Sequence, residues 1–129
     1  EGDKTEPVLS PIYDTARALL WNKTEVAILK MYQQYKNGSN ELEFYIKKSK
    51  PRFSFVGNPK SNHFEFIEFL AKYKPEYKAI ILHLISEQME ERALKELKDQ
   101  TYCYFSKERS ILMGVVLKMR FEKLRKLTT

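Results

Sequence analysis

The chain offers little material for chemistry. It has two histidines, His63 and His83, twenty positions apart and on different expected helices. There is no cysteine pair and no HExxH run, so the pattern gives no zinc site. His63 is expected at a helix start and His83 beside an apolar stripe, both in structural roles. The single cysteine, Cys103, sits in the apolar run Tyr102-Cys103-Tyr104-Phe105. Free cysteine is among the most buried residue types, so Cys103 is expected to be an inert buried thiol. One cysteine excludes an intrachain disulfide and suits a reducing, intracellular setting. No GxSxG elbow is present, and glycines at 2, 38, 57 and 114 are too scattered for a phosphate-cradling loop.

Three aspartates remain: Asp3, Asp14 and Asp99. Only Asp14 follows a Pro-apolar-aromatic lead-in, Pro11-Ile12-Tyr13, and precedes an apolar turn, Ala18-Leu19-Leu20-Trp21. A carboxylate at such a strand end is placed to bind Mg²⁺, which takes one or two carboxylates together with substrate phosphates. An aspartate there also serves as a helix cap. On spacing alone the helix cap is the favoured reading.

Basic clusters are the other candidates. Lys47, Lys48, Lys50, Arg52 and Lys60 occur with no acid among residues 47–60. Lys107, Arg109, Lys118, Arg120, Lys123, Arg125 and Lys126 face only Glu108 and Glu122 in the last helix. Such clusters suit a nucleic-acid backbone. They better suit a solvated helix face whose cations complement the C-terminal dipole. The net charge of +6 favours anionic partners without choosing among them.

These residues must be positioned by helices. A length of 129 residues with 43% apolar content suits one domain, residues 1–129, with a real core. The pattern predicts a mainly α fold of six or seven helices, with a short extended opening segment over 1–12 and a helical body over 13–129. Val26, Leu29 and Tyr32, with Ala27 and Ile28 alongside, predict a helix ending at about Lys36, capped by Asn22 or Thr24 and stopped by Asn37-Gly38. Leu42, Tyr45 and Ile46 share one face of a second helix, which Asn40 can cap. Asn62 with Glu65 reads as a capping box opening a third, with Phe66, Ile67, Leu70 and Tyr73 as its apolar side. Pro75 opens a fourth, with Ile80, Ile81, Leu84 and Ile85 as the buried stripe. Ala93, Leu94 and Leu97 predict a short fifth. Ser106 caps a long last helix, apolar on more than one side through Leu112, Val115, Val116, Met119 and Phe121, and therefore central to the bundle.

The stretch Pro11-Ile12-Tyr13-Asp14-Thr15-Ala16-Arg17 resembles the segment after the catalytic loop of HipA-like serine/threonine kinases, the toxin–antitoxin kinases. Tyr45-Ile46 before Ser49-Lys50-Pro51, Asn62-His63-Phe64-Glu65, and Ser106-Lys107-Glu108-Arg109 are similar to later landmarks of that family's helical lobe. The resemblance implies the C-terminal part of a kinase-like large lobe. It implies that Asp14 holds Mg²⁺ and ATP, supported by Tyr13 through packing and by Arg17 through pairing with a carboxylate or phosphorylated residue. The family's catalytic loop, nucleotide-binding lysine and phosphate loop are not in this sequence. No catalytic residue is therefore expected in this chain, and Mg²⁺ and ATP are not expected to bind well to it alone. Because the chain opens on Glu1 rather than Met, it is expected to be a piece of a longer protein.

The partners implied are the N-terminal portion of the kinase, an antitoxin-like DNA-binding protein and a protein substrate, in the cytoplasm. No apolar run of 18 residues is present, so no membrane span is expected. The alternative is a non-enzymatic helical module that contacts nucleic acid or a partner protein through its basic faces.

Overall fold

The computed structural model describes residues 19–20, 22–48, 57–101 and 103–129. Six α-helices lie among them: α1 (Glu25–Lys36), α2 (Glu41–Lys48), α3 (His63–Tyr73), α4 (Pro75–Leu84), α5 (Glu87–Thr101) and α6 (Lys107–Thr128). The described residues contain no β-strand. The expected extended segment over 1–12 falls outside them.

Local chemistry sets the helix ends. Thr24 Oγ1 accepts the Ala27 N–H and starts α1. Gly38, with φ of 83°, ends it. The Gly38 N–H donates to the Tyr35 carbonyl and the Ser39 N–H to the Gln34 carbonyl, the paired bonds of a Schellman stop. At the start of α2 the Ser39 hydroxyl accepts the Glu41 N–H. Asn62 and Glu65 form the expected reciprocal capping box, with both bonds at 2.9 Å. Pro75 occupies the first turn of α4, where its missing N–H costs nothing. Ser106 caps α6 by accepting the Arg109 N–H.

α6 is the central helix, packed by α1, α2, α3 and α5, while α4 packs mainly on α3. Leu112, Met113 and Val116 of α6 meet Ile28 and Met31 of α1, Leu42 and Ile46 of α2, Phe64 of α3, and Leu20. A helix contacted from four sides needs apolar residues on several faces, which is why its sequence has no single stripe.

Two expected stripes are corrected. In α1 the buried residues are Ile28 and Met31, whereas Val26 is 80% exposed and Leu29 also faces outward. Apolar residues encircle α1, so periodicity did not select the docked face. Contact with α6 selects it. In α4, Ile81 and Ile85 are buried, but Ile80 and Leu84 are 56% and 52% exposed. That helix docks along one narrow edge, and residues one position away rotate about 100° out of contact. Tyr73, expected on the apolar side of α3, is also exposed at the helix end. The fifth helix is longer than its apolar residues suggested, at 15 residues. No helix among the described residues is long and apolar enough to cross a membrane.

Candidate functional site

Asp14, Tyr13 and Arg17 lie outside the described residues. The structure takes up the chain at Leu19, five positions after Asp14, and there it is unusual. Leu19 and Leu20 have φ of 44° and 65°. Left-handed backbone costs an L-residue about 1–2 kcal/mol, and here two branched residues adopt it in succession. The surroundings must hold them there.

Four contacts do so. The Leu20 side chain is fully buried in the core. Its N–H donates to the Tyr45 hydroxyl of α2 at 2.9 Å. The Lys23 N–H donates back to the Leu20 carbonyl at 3.0 Å, closing the turn. Arg109 of α6 then grips the turn from the other side. Its Nη1 donates to the Leu20 carbonyl at 3.2 Å, and its Nη2 donates to the Lys23 carbonyl. The third nitrogen, Nε, donates to Glu25 Oε1 at 2.6 Å. A planar guanidinium can serve three acceptors in fixed directions, which an ammonium on a flexible stem cannot.

Ser106 completes the group. Its hydroxyl donates to Glu25 Oε2 at 2.7 Å and accepts the Arg109 N–H at 3.2 Å. The Ser106 hydroxyl, foremost, and the Arg109 guanidinium hold the Glu25 carboxyl below the usual glutamate value. Arg109 is only 8% exposed, and its charge lies 5.9 Å from the Phe105 ring centre.

This arrangement positions chain and does not perform acid–base chemistry. Ser106 has no histidine partner, and its hydroxyl is committed to a carboxylate and an amide. Glu25 is held ionised by a cation, the opposite of a poised general acid. Among the described residues no three His, Cys, Asp or Glu side chains gather into a group that could hold a metal ion. No family model, curated protein or solved structure matches the chain. The clamp therefore has to be understood from its own geometry.

A second clamp has the same form. Arg125 near the end of α6 donates to the Ile85 carbonyl at 2.9 Å and to Glu90 Oε1 at 2.6 Å. It fixes the α4–α5 turn to the central helix. Lys47 pairs with Glu43 at 3.7 Å on an exposed face. Lys123 lies 4.7 Å from the Phe64 ring centre, and partial burial, then Lys47, pushes its pKa down. Lys50 and Arg52 fall outside the described residues.

The remaining sequence candidates divide. His63 opens α3 as expected, while His83 is exposed on α4. Cys103 is corrected: it is exposed. The short turn between α5 and α6 has core on one side only, and Tyr104 and Phe105 point outward beside it. Ser106 and Arg109 had been singled out as a motif, but Glu25 and Tyr45 had not been linked to them. A usable signal was present. An arginine in the first turn of a helix opposes the dipole, so it needs an acidic or carbonyl partner elsewhere.

Proposed function

We propose that this chain is the C-terminal helical part of a HipA-like serine/threonine protein kinase. In that reading Asp14 contributes to the Mg²⁺–ATP site, and the chain does not transfer phosphate alone. The observation that supports it is the meeting of distant landmarks. Ser106 and Arg109, from one stretch that resembles the family, reach back more than eighty positions to Leu20, Lys23 and Glu25, three to eight positions past Arg17, the last residue of the other.

The clamp gives that meeting a mechanical use. A carboxylate serves a metal–phosphate site only if its backbone is fixed to within a fraction of an ångström. Arg109 and Tyr45 fix the chain at Leu20, six residues after Asp14, against the most buried part of the core. When bound, Mg²⁺ would supply neutralisation of the phosphate charge that develops during transfer. Among the described residues no group of three His, Cys, Asp or Glu side chains could hold a metal ion, so this part of the reading rests on Asp14.

The basic faces give less support to a nucleic-acid module. Two of the cations that make α6 look basic, Arg109 and Arg125, are turned inward and bonded to Glu25 and Glu90. A backbone-binding surface needs its cations free to meet phosphates.

The deciding experiment uses the longer protein. Asp14→Ala should leave its melting temperature nearly unchanged and abolish Mg²⁺-dependent phosphorylation. Full activity in that variant would remove the role given to Asp14. The 129-residue chain alone should show no ATP turnover, and measurable autophosphorylation by it would overturn the reading. Tight DNA binding with a steep salt dependence would favour the binding-module alternative instead.

A further inference from the structure

The α5–α6 face carries two features that the fold does not require. Gly114 lies in the middle of α6, where glycine is less stable than alanine. No close helix approach demands it, because a Cβ at this position would meet only Leu94 Cδ2, at 4.0 Å. One turn earlier, Ser110 carries a buried hydroxyl with no hydrogen-bond partner. A hydroxyl left this way destabilises a fold. Residues four apart share one helix face, so the two features sit together.

Both line a single groove of about 460 Å³ between α5 and α6. That size is within the range of small-molecule sites. Leu94, Leu97, Phe105 and Ile111 give it apolar walls, and among the described residues no acidic side chain lines it. Among the described residues its charged side chains are Lys98 and Lys107. The helix ends add to this polarity. At the carbonyl end of α5, Leu97 O accepts the Thr101 hydroxyl at 2.6 Å, and Thr101 O accepts the Tyr104 and Phe105 N–H groups. The first turn of α6, with its positive dipole end, contributes Lys107 and Ser110 to the groove.

We propose that this groove binds a small amphipathic anion, an alkyl or aryl carboxylate. Its carboxylate sits at Lys98 and Lys107, with the Ser110 hydroxyl turning to donate to it. Its apolar body lies along Leu94, Leu97, Phe105 and Ile111, over the methyl-sized gap at Gly114. The charge argument selects an anion over a neutral or cationic amphiphile, and the apolar walls select against a hydrophilic phosphate ester. The proposal does not depend on the kinase reading and would stand if that reading failed.

The test is an amide-resolved NMR titration of the full chain with decanoate, decanol and decylammonium. Decanoate should saturate at one equivalent and shift the amides of Leu94, Leu97, Ser110 and Gly114. Decanol should bind at least fivefold more weakly, and decylammonium should not compete. The double variant Lys98→Ala/Lys107→Ala changes only exposed side chains and should fold normally. It should weaken decanoate about tenfold and leave decanol unchanged. Gly114→Met should fill the groove and remove binding of both. Shifts that scatter over the surface without saturating would overturn the proposal. So would equal affinity for decylammonium, or unchanged decanoate affinity in the double-lysine variant.

Discussion

Arg109 Nε donates to Glu25 Oε1 at 2.6 Å, so one ion pair fastens the first turn of α6 to the first residue of α1. The partners are unequal. The arginine side chain is 10% exposed and the glutamate 54%. The exposed carboxylate keeps much of its hydration, so the ion pair alone adds little. The larger contribution comes from the Leu20 and Lys23 carbonyls, which have Arg109 as a donor where water has little access.

That asymmetry gives an ordered set of substitutions. Arg109→Ala should lower unfolding stability by about 2–4 kcal/mol, because it removes the side-chain donor to the Lys23 carbonyl, takes one of two donors from the Leu20 carbonyl and releases a strained turn. Arg109→Lys should recover only part of the loss, since one ammonium cannot follow three directions. Glu25→Gln should be the mildest of the three, because its amide oxygen still accepts from Arg109. Urea denaturation of the three variants measures the order. If Glu25→Gln proved as costly as Arg109→Ala, the ion pair rather than the carbonyl grip would be the source of stability.

The same contact sets a pH dependence. The folded-state pKa of Glu25 is depressed by Ser106 and Arg109. A depressed carboxyl stabilises the fold above its unfolded pKa, near 4.3 for glutamate. The contribution disappears as pH falls through the lower folded value. The stability gap between the parent and Glu25→Gln should therefore be constant at neutral pH and close as the solution is made more acidic. Ser106→Ala should raise the Glu25 pKa toward the ordinary value, which carboxyl NMR titration would detect. A gap that widened in acid would contradict the direction of the shift.

The helical architecture was readable because caps and stops are local chemistry. Thr24, Asn62 with Glu65, Pro75 and Ser106 marked helix starts, and each does so in the structure. Which face docks was less readable. Val26 and Ile28 are equally apolar, yet only Ile28 is buried, because the choice belongs to α6 and not to α1. The candidate site was legible as isolated landmarks. The contact between Arg109 and Leu20 spans 89 positions, and no periodic pattern encodes a partner at that distance. The left-handed Leu19–Leu20 pair was hidden for a different reason. Leucine is not a residue that announces positive φ, so the strain is imposed from outside the segment.

Cys103 shows how a residue-type rule gives way to its location. Its apolar neighbours suggested burial, but the α5–α6 turn leaves the thiol exposed. The folded chain should react with one equivalent of a colourless disulfide reagent at a rate within about tenfold of a free peptide thiol, since access is not limiting. Cys103→Ser should change the melting temperature by no more than a degree or two, as surface substitutions usually do. Reaction only after denaturation would restore the buried assignment.

Arg125 and Glu90 make the second clamp, and here both partners are sheltered, at 24% and 10% side-chain exposure. Breaking such a pair on one side leaves the other charge in a poorly hydrated place. Arg125→Met should thus cost about 3 kcal/mol, because it also strips the donor from the Ile85 carbonyl. Glu90→Leu alone should be costly too, as it leaves the guanidinium without its anion. The double variant should be much less unstable than the sum of the two, because no unpaired charge remains inside. A double-mutant cycle by thermal or urea unfolding should give a coupling of about 1–3 kcal/mol. A coupling near zero would mean that solvent reaches this pair freely. The bond from Arg125 to the Ile85 carbonyl would then be the clamp's hold on the α4–α5 turn.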